Sequence, residues 1–457
     1  MDLRNKKVTV VGLGNSGIGS AILLHSEGAV VSVTDSADTG SVRKNKALLR
    51  EKYIDAEIGV HSENFLKGTE LFVVSPGIEN SSLPLRYAKE NSIPVISELE
   101  LGYNFCKAPV AAVTGTNGKS TVVSLIGRIL QAAGVPAVVC GNIGNSLSGE
   151  ICAPGPKRIT KNTVVILEVS SFQLERIISF RPKISVILNV SEDHMDRHSD
   201  FKDYLGAKKN IFKNQKKDDI TVLNYDDSNS RKLGASGEIA SRVLYFSAGK
   251  KVEGAYLEKG AVKTFLKKKV KWLFDLKEPG FKGAHNAENI LAAVLVSVLL
   301  GADRAAMEKS VKHFTPLAHR FEVIAKVDGV DFIDDSKATN VDSTYRALKV
   351  AGRRTILIAG GKDKNLPYEK IVPALKKGVK KVVLIGEARG KMRGIFEKYV
   401  DVEEKDSLEE AVFTAYKSAS PGDCVLLSPM CSSFDMFTDY RHRGEVFREA
   451  VKKLKNA

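Results

Sequence analysis

The residues best equipped for chemistry lie in Val113-Thr114-Gly115-Thr116-Asn117-Gly118-Lys119-Ser120-Thr121. The stretch is a shortened form of the phosphate-loop pattern GxxxxGK(S/T), its first glycine standing four positions before the lysine instead of six. Small residues between the apolar run Pro109–Val113 and the helix expected from Val122 to Leu130 let backbone N–H groups and a helix N-terminus face phosphate oxygens. Lys119 would supply a cation to the β- and γ-phosphates, and the hydroxyl of Ser120 or Thr121 a ligand for Mg2+. The expectation is a nucleoside triphosphate site with Gly115, Thr116, Asn117 and Gly118 as its cradle. A glycine-rich turn that binds nothing would not need the lysine and the paired hydroxyls.

More strands in the middle of the chain close on polar residues. Val164–Leu167 ends on Glu168, a carboxylate placed to hold Mg2+ directly or through water beside a phosphate loop, and Ser170-Ser171-Phe172-Gln173 follows. Ile184–Leu188 ends on Asn189 and leads into Asp193-His194-Met195-Asp196-Arg197-His198. This cluster lacks the three-ligand set of a catalytic zinc, so His194 is expected to serve Mg2+, with a hydrogen-bonded loop cap as the bland reading. Asn286 precedes the apolar run Ile290–Leu300, where an N-cap is as good a reading as a ligand.

The chain opens with a strand, a glycine loop, a helix and a second strand: Val8–Val11, Gly12-Leu13-Gly14-Asn15-Ser16-Gly17, then Val30–Thr34 closing on Asp35. This is a full GxGxxG with an acid where a dinucleotide fold holds a ribose hydroxyl, and by itself it reads as NAD. Any ligand with a pyrophosphate can use the same turn, so the fingerprint is weak. A second loop, Ser75-Pro76-Gly77, follows Leu71–Val74 and belongs on the same sheet edge.

The elements that must position these groups follow from length and pattern. At 457 residues the chain is too long for one core, and about 150 residues per domain gives three. Alternating strand and helix patterns make each domain α/β: a Rossmann-like N-terminal domain (1–98), a central phosphate-loop ATPase-type α/β domain (99–316) and a C-terminal Rossmann-like α/β domain (317–457). The last restarts the alternation with strands at Val330–Ile333, Thr355–Ala359, Lys381–Ile385 and Cys424–Leu427, whose following loops should share one face and open on a cleft with those of the other domains. Five cysteines without a CxxC pair argue for a reducing compartment. The opening Met1–Lys7 has no signal-peptide pattern and no apolar run is long enough to span a membrane, so a cytoplasmic protein is expected. The net charge of +15 is scattered in short runs such as Lys267-Lys268-Lys269 and there is one tryptophan, which excludes a nucleic-acid reading and leaves a modest attraction for small anions.

In order along the chain, GTNGKST, LEVSSFQLE, NVSEDHMDRH, GAHNAEN, HRFE, DDSKATN and SPMCSSFDMF resemble the motifs of the Mur ligase family. The resemblance covers nearly the whole chain and is strongest for the branch that adds D-glutamate to UDP-N-acetylmuramoyl-L-alanine in peptidoglycan synthesis. It implies that the first domain holds the uridine diphosphate and not NAD, the second ATP, and the third the amino acid. It also implies a monomer with small-molecule substrates, ATP and two Mg2+ ions, and no nucleic-acid or membrane partner. The L-alanine carboxylate would attack the γ-phosphate, and the amine of D-glutamate would displace phosphate from the resulting acyl phosphate.

The same resemblance implies residue roles. Lys119 and Ser120 would bind ATP phosphates and Mg2+, with Glu168 and His194 in the metal shell. Lys208, in Tyr204-Leu205-Gly206-Ala207-Lys208, would be carbamylated and help place the second Mg2+; spacing alone equally allows a surface lysine. Asn286, Asn289, Arg320, Asp335 and Lys364 would line ATP or its hinge. Asn15, Ser16, Asp35, Ser36 and Gly77 would meet the uridine diphosphate, and Asn142 and Ser170 the muramoyl part. Lys337, Thr339, Ser433, Phe434 and Tyr440 would surround the incoming glutamate. Two features depart from the family: Asp35-Ser36-Ala37 lacks the usual basic residue, and Cys152–Asn162 reads as a local insertion. Within the family, the absence of a DNPR-type motif disfavours the diaminopimelate or lysine adding branch, and Ser120-Thr121 disfavours the folate branch, whose loop reads GTNGKGS. A dehydrogenase or a nucleotide-gated binding protein is the rival from another class.

Overall fold

Short runs of β-branched and aliphatic residues, each followed by a polar or glycine-rich loop and then a helix, build three sheets in the computed structural model, which describes residues 1–153, 159–276, 284–314, 317–352 and 354–454. The chain divides into two units. The first comprises Met1–Val190, Leu205–Lys277 and Glu288–His313; the second comprises Ser191–Tyr204, Glu278–Ala287 and Phe314–Ala457.

The first unit contains two sheets. Strands β1 (Lys7–Val11), β2 (Val30–Asp35), β3 (Asp55–Ile58), β4 (Leu71–Val74) and β5 (Val95–Ser97) form a five-stranded sheet in the order β3-β2-β1-β4-β5. All its pairings are parallel. The order reverses between β1 and β4, so the loops after those two strands flank the switch point where doubly wound sheets bind ligands. The second sheet has nine strands: β6 (Val110–Thr114), β7 (Ala137–Gly141), β8 (Val164–Glu168), β9 (Ile184–Ile187), β10 (Ile220–Asn224), β11 (Arg242–Ser247), β12 (Gly254–Glu258), β13 (Ala261–Leu266) and β14 (Lys269–Asp275). Their order is β14-β13-β12-β11-β10-β9-β6-β8-β7, with only the last hairpins antiparallel. Strands β6 and β8 are buried along their whole length, as a parallel sheet covered on both faces requires.

The second unit is built on β15 (Glu322–Val327), β16 (Val330–Asp334), β17 (Thr355–Gly360), β18 (Val379–Ile385), β19 (Asp401–Glu404) and β20 (Cys424–Leu427). The order is β15-β16-β20-β17-β18-β19, parallel except for β15 on β16. Two clusters of aliphatic and aromatic side chains, one centred on Leu357 and Leu384 and the other on Ile358 and Val425, fill the two faces of this sheet. The three α/β sheets match the expected fold class.

Two local expectations change. The phosphate-loop helix starts at Lys119, three residues earlier than the apolar run suggests, because Gly118 takes a left-handed φ of 88° and serves as its N-cap. The buried helix before Leu300 starts at Ala284, so Asn286 lies in its first turn and is not the N-cap. The expected 316/317 boundary and the centre of the Cys152–Asn162 insertion lie outside the described residues.

Candidate functional site

At the first glycine loop, Gly12 has φ 96° and Gly17 lies so close that a Cβ on it would stand 1.8 Å from the Gly12 carbonyl oxygen. Only glycine fits either position. Asp35, at the end of β2, accepts the Leu13 amide at 2.6 Å through one carboxylate oxygen and the Ala37 amide at 2.8 Å through the other. Ser75, after β4, donates to the Gly12 carbonyl at 3.3 Å. The loops after β1, β2 and β4 are thus bound into one edge, with Ser16 half-buried and Asn15, Ser36 and Gly77 exposed along it. The helix Asn15–Ser26 starts here with Gly14 as N-cap and no side-chain cap. Its first amides are suited to a diphosphate.

The phosphate loop joins β6 to the helix Lys119–Ala132. Asn189, just past β9, braces it on both sides: its Oδ1 accepts the Asn117 amide at 2.8 Å and its Nδ2 donates to the Asn117 carbonyl at 3.1 Å. The Asn189 carbonyl also accepts the Thr116 amide at 2.9 Å. The first helical bond runs from the Val122 amide to the Gly118 carbonyl at 3.0 Å, so the amides of Ser120 and Thr121 stand ahead of it at the helix N-terminus. Lys119 arches over the loop, its Nζ donating to the carbonyls of Gly115 at 2.8 Å and Thr116 at 2.9 Å. Asn289 packs under the left-handed Gly118, where a Cβ would stand 2.3 Å from its Oδ1. Any larger residue at position 118 would therefore lift the loop.

Glu168 ends β8, in register with Val113 of β6. Asn142 holds it: the Asn142 amide donates to the Glu168 carbonyl at 2.9 Å and Asn142 Nδ2 to Glu168 Oε1 at 2.8 Å. Glu168 Oε2 and Thr114 Oγ1, at the ends of adjacent strands, are buried and have no hydrogen-bond partner among the described residues. Leaving a carboxylate oxygen so is costly unless something positive binds it. A hard cation with oxygen ligands fits, and the Ser120 hydroxyl on the neighbouring helix turn belongs to the same donor class. Ser170 is used as a helix cap, exchanging bonds with Gln173 in a capping box. Lys208 is buried, with Nζ donating to the Gly115 carbonyl at 3.0 Å. That excludes the surface-lysine reading.

In the second unit, Asp193 and Lys364 form a buried ion pair, completed by Asn340 Nδ2 on Asp193 at 3.0 Å and by the Thr339 carbonyl on Lys364 at 3.3 Å. Burial would raise the Asp193 carboxyl, but Lys364, with His194 and Asn340, outweighs it and holds the group well below the usual carboxylate range. His194 has a left-handed φ of 57° and its Nε2 lies 3.8 Å from Asp193. His198 turns inward, 3.3 Å from Asp203, and no set of three His, Cys, Asp or Glu groups converges on a metal site among the described residues.

The loops after β16 and β20 meet at Asp335. Its carboxylate accepts the Phe321 amide at 3.1 Å and the Ser428 hydroxyl at 2.9 Å, and burial pushes it up to about 7. Lys337 Nζ donates to Tyr440 Oη at 3.1 Å and lies over its ring; Tyr440 is shifted down because Lys337 and Arg441 outweigh its burial. Thr339 is half-buried, Ser433 is buried and Phe434 is exposed. A residue the sequence reading missed holds these loops together. Arg443, fully buried on the last helix, donates to the carbonyls of Ser336 at 2.8 Å, Cys431 at 3.1 Å and Ser432 at 3.3 Å. Arg443 carried no motif, whereas Asn189 and Asp193 lie inside NVSEDHMDRH without a bracing role being read for either.

Comparison with known proteins gives three family matches: a MurD-like N-terminal domain of Mur ligases over residues 6–97, a Mur ligase middle domain over 113–297, and a Mur ligase glutamate ligase domain over 319–431. The chain is 41% identical over 455 residues to the UDP-N-acetylmuramoylalanine–D-glutamate ligase of Koribacter versatilis, covering 99% of each. It is 40% identical over 460 residues to the enzyme of the same name from Caldanaerobacter subterraneus, covering 100% of each. Among solved structures it is similar to UDP-N-acetylmuramate–alanine ligase MurC from Thermotoga maritima, with a TM-score of 0.60 at 21% identity over 98% of this chain and 99% of that one.

Proposed function

Because the chain belongs to the Mur ligase family, we propose that it is the ATP-dependent ligase that joins D-glutamate to UDP-N-acetylmuramoyl-L-alanine in peptidoglycan precursor synthesis. The observation that carries this is full-length similarity, 41% identity over 99% of both chains, to a relative named for that reaction. Residues 1–98 take the UDP end of the donor, 99–316 ATP and 317–457 the amino acid.

The first step needs a donor carboxylate oxygen to attack the γ-phosphorus as its bond to the ADP oxygen breaks. Little covalent work falls to the protein in such a transfer, so positioning and charge carry it. The amides at the start of the helix Lys119–Ala132 cradle the phosphates, and Lys119 exchanges the loop carbonyls it now holds for phosphate oxygens. Ser120 and Glu168, whose Oε2 is buried without a partner among the described residues, would hold Mg2+, which when bound would neutralise charge on the transferred group. Carbamylation would turn Lys208 from a cation into an anion suited to a second Mg2+. The metal role of His194, the nucleotide roles of Asn286, Asn289, Arg320, Asp335 and Lys364, and the muramoyl roles of Asn142 and Ser170 rest on the resemblance.

In the second step the free amine attacks the acyl carbon and phosphate leaves. Lys337, positioned by Tyr440, and the Thr339, Ser433 and Phe434 loops supply a cation and donors for a dicarboxylate. A cationic side chain would meet Lys337 and leave those donors unpaired, a mismatch that costs powers of ten in specificity. No helix among the described residues is long and apolar enough to cross a membrane, and we take the enzyme to act as a cytoplasmic monomer.

The test is ADP release from ATP with UDP-N-acetylmuramoyl-L-alanine across a panel of amino acids, with UDP and NAD as competitors. D-glutamate alone should support turnover, and UDP but not NAD should inhibit. Preference for L-lysine or diaminopimelate, or competition by NAD and not UDP, would overturn the assignment.

A further inference from the structure

Three helices meet at a junction in the first unit: Asn15–Ser26, which runs out of the Gly12–Gly17 loop, Glu98–Phe105, and Leu147–Cys152. The first touches the third at Gly19 with no room for a side chain. A Cβ on Gly19 would stand 2.6 Å from Ser146 Oγ and 2.7 Å from the backbone nitrogen of Gly149. Backbone cannot give way as the end of a flexible side chain can.

Glu98 grips the same segment from the second helix. It is buried, and its Oε1 accepts the Ser148 amide at 2.8 Å while the Ser148 hydroxyl meets the Glu98 carbonyl at 3.4 Å. Burial pushes the carboxyl up, against the Ser148 and Leu147 amides and the Ser146 hydroxyl that bear on it. A buried carboxyl carries a desolvation cost that an apolar residue packed there would not. What the carboxyl does provide is a directional hold on the start of the helix Leu147–Cys152.

That helix continues the loop that began at Gly141, whose amide donates to the Asn145 carbonyl at 2.8 Å. The same loop carries Asn142, bonded to Glu168. A short path therefore runs from the glycine loop of the first sheet to the carboxylate beside the phosphate loop, buried at Ser146–Ser148 and carried through the exposed Asn145, Gly144 and Asn142. We infer that Gly19 and Glu98 are positioning residues for the donor substrate, clamping the segment 141–149 so that the separation between the first glycine loop and Glu168 is fixed. The inference rests on the proposed function, in which the diphosphate of the donor is held at the first loop while its carboxylate reacts beside the second. A reactant anchored at one end places its reacting atom only as well as that separation is kept, and a misplacement of about 1 Å can cost about a hundredfold in rate.

The test compares Gly19→Ala, Glu98→Ala and Glu98→Gln with the unaltered full-length enzyme. The readouts are kcat for ADP release with the full donor, KM for ATP, and the inhibition constant of UDP, which engages only the first loop. In Gly19→Ala and Glu98→Ala, kcat should fall at least about tenfold, with the UDP constant and the ATP KM within about twofold of the starting values. Glu98→Gln, which keeps an acceptor for the Ser148 amide, should recover most of the loss. If Gly19→Ala does not fold, the Glu98 pair carries the test. Unchanged kcat in both damaging variants overturns the inference, as does a parallel loss of UDP binding, ATP binding and kcat, which marks a merely structural role. Absence of UDP inhibition in the unaltered enzyme refutes the reading of the first domain, and with it the premise, before any variant is compared.

Discussion

Replacing Asn189 by alanine tests whether the phosphate loop is preorganised from β9. The substitution removes the Asn117 N–H bond to Oδ1 and the Nδ2 bond to the Asn117 carbonyl, and it leaves the backbone bond from Thr116 in place. Hydrogen bonds of this kind contribute about 0.5–1.5 kcal/mol each, net of water, so the loop loses about 2 kcal/mol of preorganisation. If that loss appears in the transition state for phosphoryl transfer, kcat/KM for ATP falls roughly thirtyfold. Asn189→Asp should be worse: it keeps an acceptor for the Asn117 amide but sets a carboxylate oxygen against the Asn117 carbonyl and adds negative charge beside a phosphate site. The assay is initial-rate ADP release with ATP varied at saturating donor and D-glutamate, with UDP inhibition as a control that should not move. A kcat/KM for Asn189→Ala within threefold of the starting enzyme, or an Asn189→Asp variant more active than the alanine one, would refute the reasoning.

Four other outcomes are expected. Lys119→Ala should abolish ADP formation while circular dichroism and melting temperature stay as they were; near-normal turnover would sink the ATP assignment. Lys208→Ala should lose most activity and regain part of it with short carboxylic acids that occupy the vacated position, and full activity without them would rule out a carbamate there. Lys337→Ala should raise KM for D-glutamate more than KM for ATP, a split that disappears if the lysine is not part of the acceptor site. Asp335 gives a pH dependence of stability: because burial raises its carboxyl from 3.8 to about 7, the native state holds that proton more tightly than the unfolded chain. Its contribution is whole below about pH 4 and is lost as pH rises towards and through about 7, by roughly 4 kcal/mol at most. Asp335→Asn should flatten that part of the melting-temperature profile, and an unchanged slope would count against the buried carboxyl as its source.

Fold class was legible because buried parallel strands write themselves as apolar runs. Val164–Glu168, Leu71–Val74 and Cys424–Leu427 appear in the structure with the bounds read from sequence. Strands such as β7, β10 and β19 were not, because Ala137–Gly141, Ile220–Asn224 and Asp401–Glu404 are short and set among charged residues or glycine, where a pattern of four or five residues has no period to display. The motif glycines and Lys119 could be read because their types are dictated by backbone geometry and charge at one place. The braces could not. Asn189 lies 72 residues from Asn117, and Arg443 lies 107 from Ser336. Such bonds leave no local trace, since any polar residue at a strand end or on a helix would look the same. Asn286 shows the converse error: a good capping residue before an apolar run suggested a helix start, whereas the helix begins at Ala284.

The ambiguity of the first fingerprint has a physical basis in Asp35. A dinucleotide fold uses the acid at the end of the second strand to accept a ribose hydroxyl, and Asp35 has the right place in the sequence for that role. In the structure each of its oxygens already accepts one amide, one that of Leu13 inside the glycine loop and one that of Ala37 just beyond the strand. The carboxylate therefore shapes the loop, and the GxGxxG-plus-acid pattern records a way of closing a tight turn at a strand edge before it records any ligand. Residues beyond the turn add to discrimination: an exposed Ser36, and the Ser75–Gly77 loop, whose first residue is bonded back to Gly12. A pyrophosphate suits the helix N-terminus whichever nucleoside carries it. The choice of nucleoside falls to contacts that the fingerprint does not contain, which is why the motif alone reads as NAD and the remaining domains are needed to reverse it.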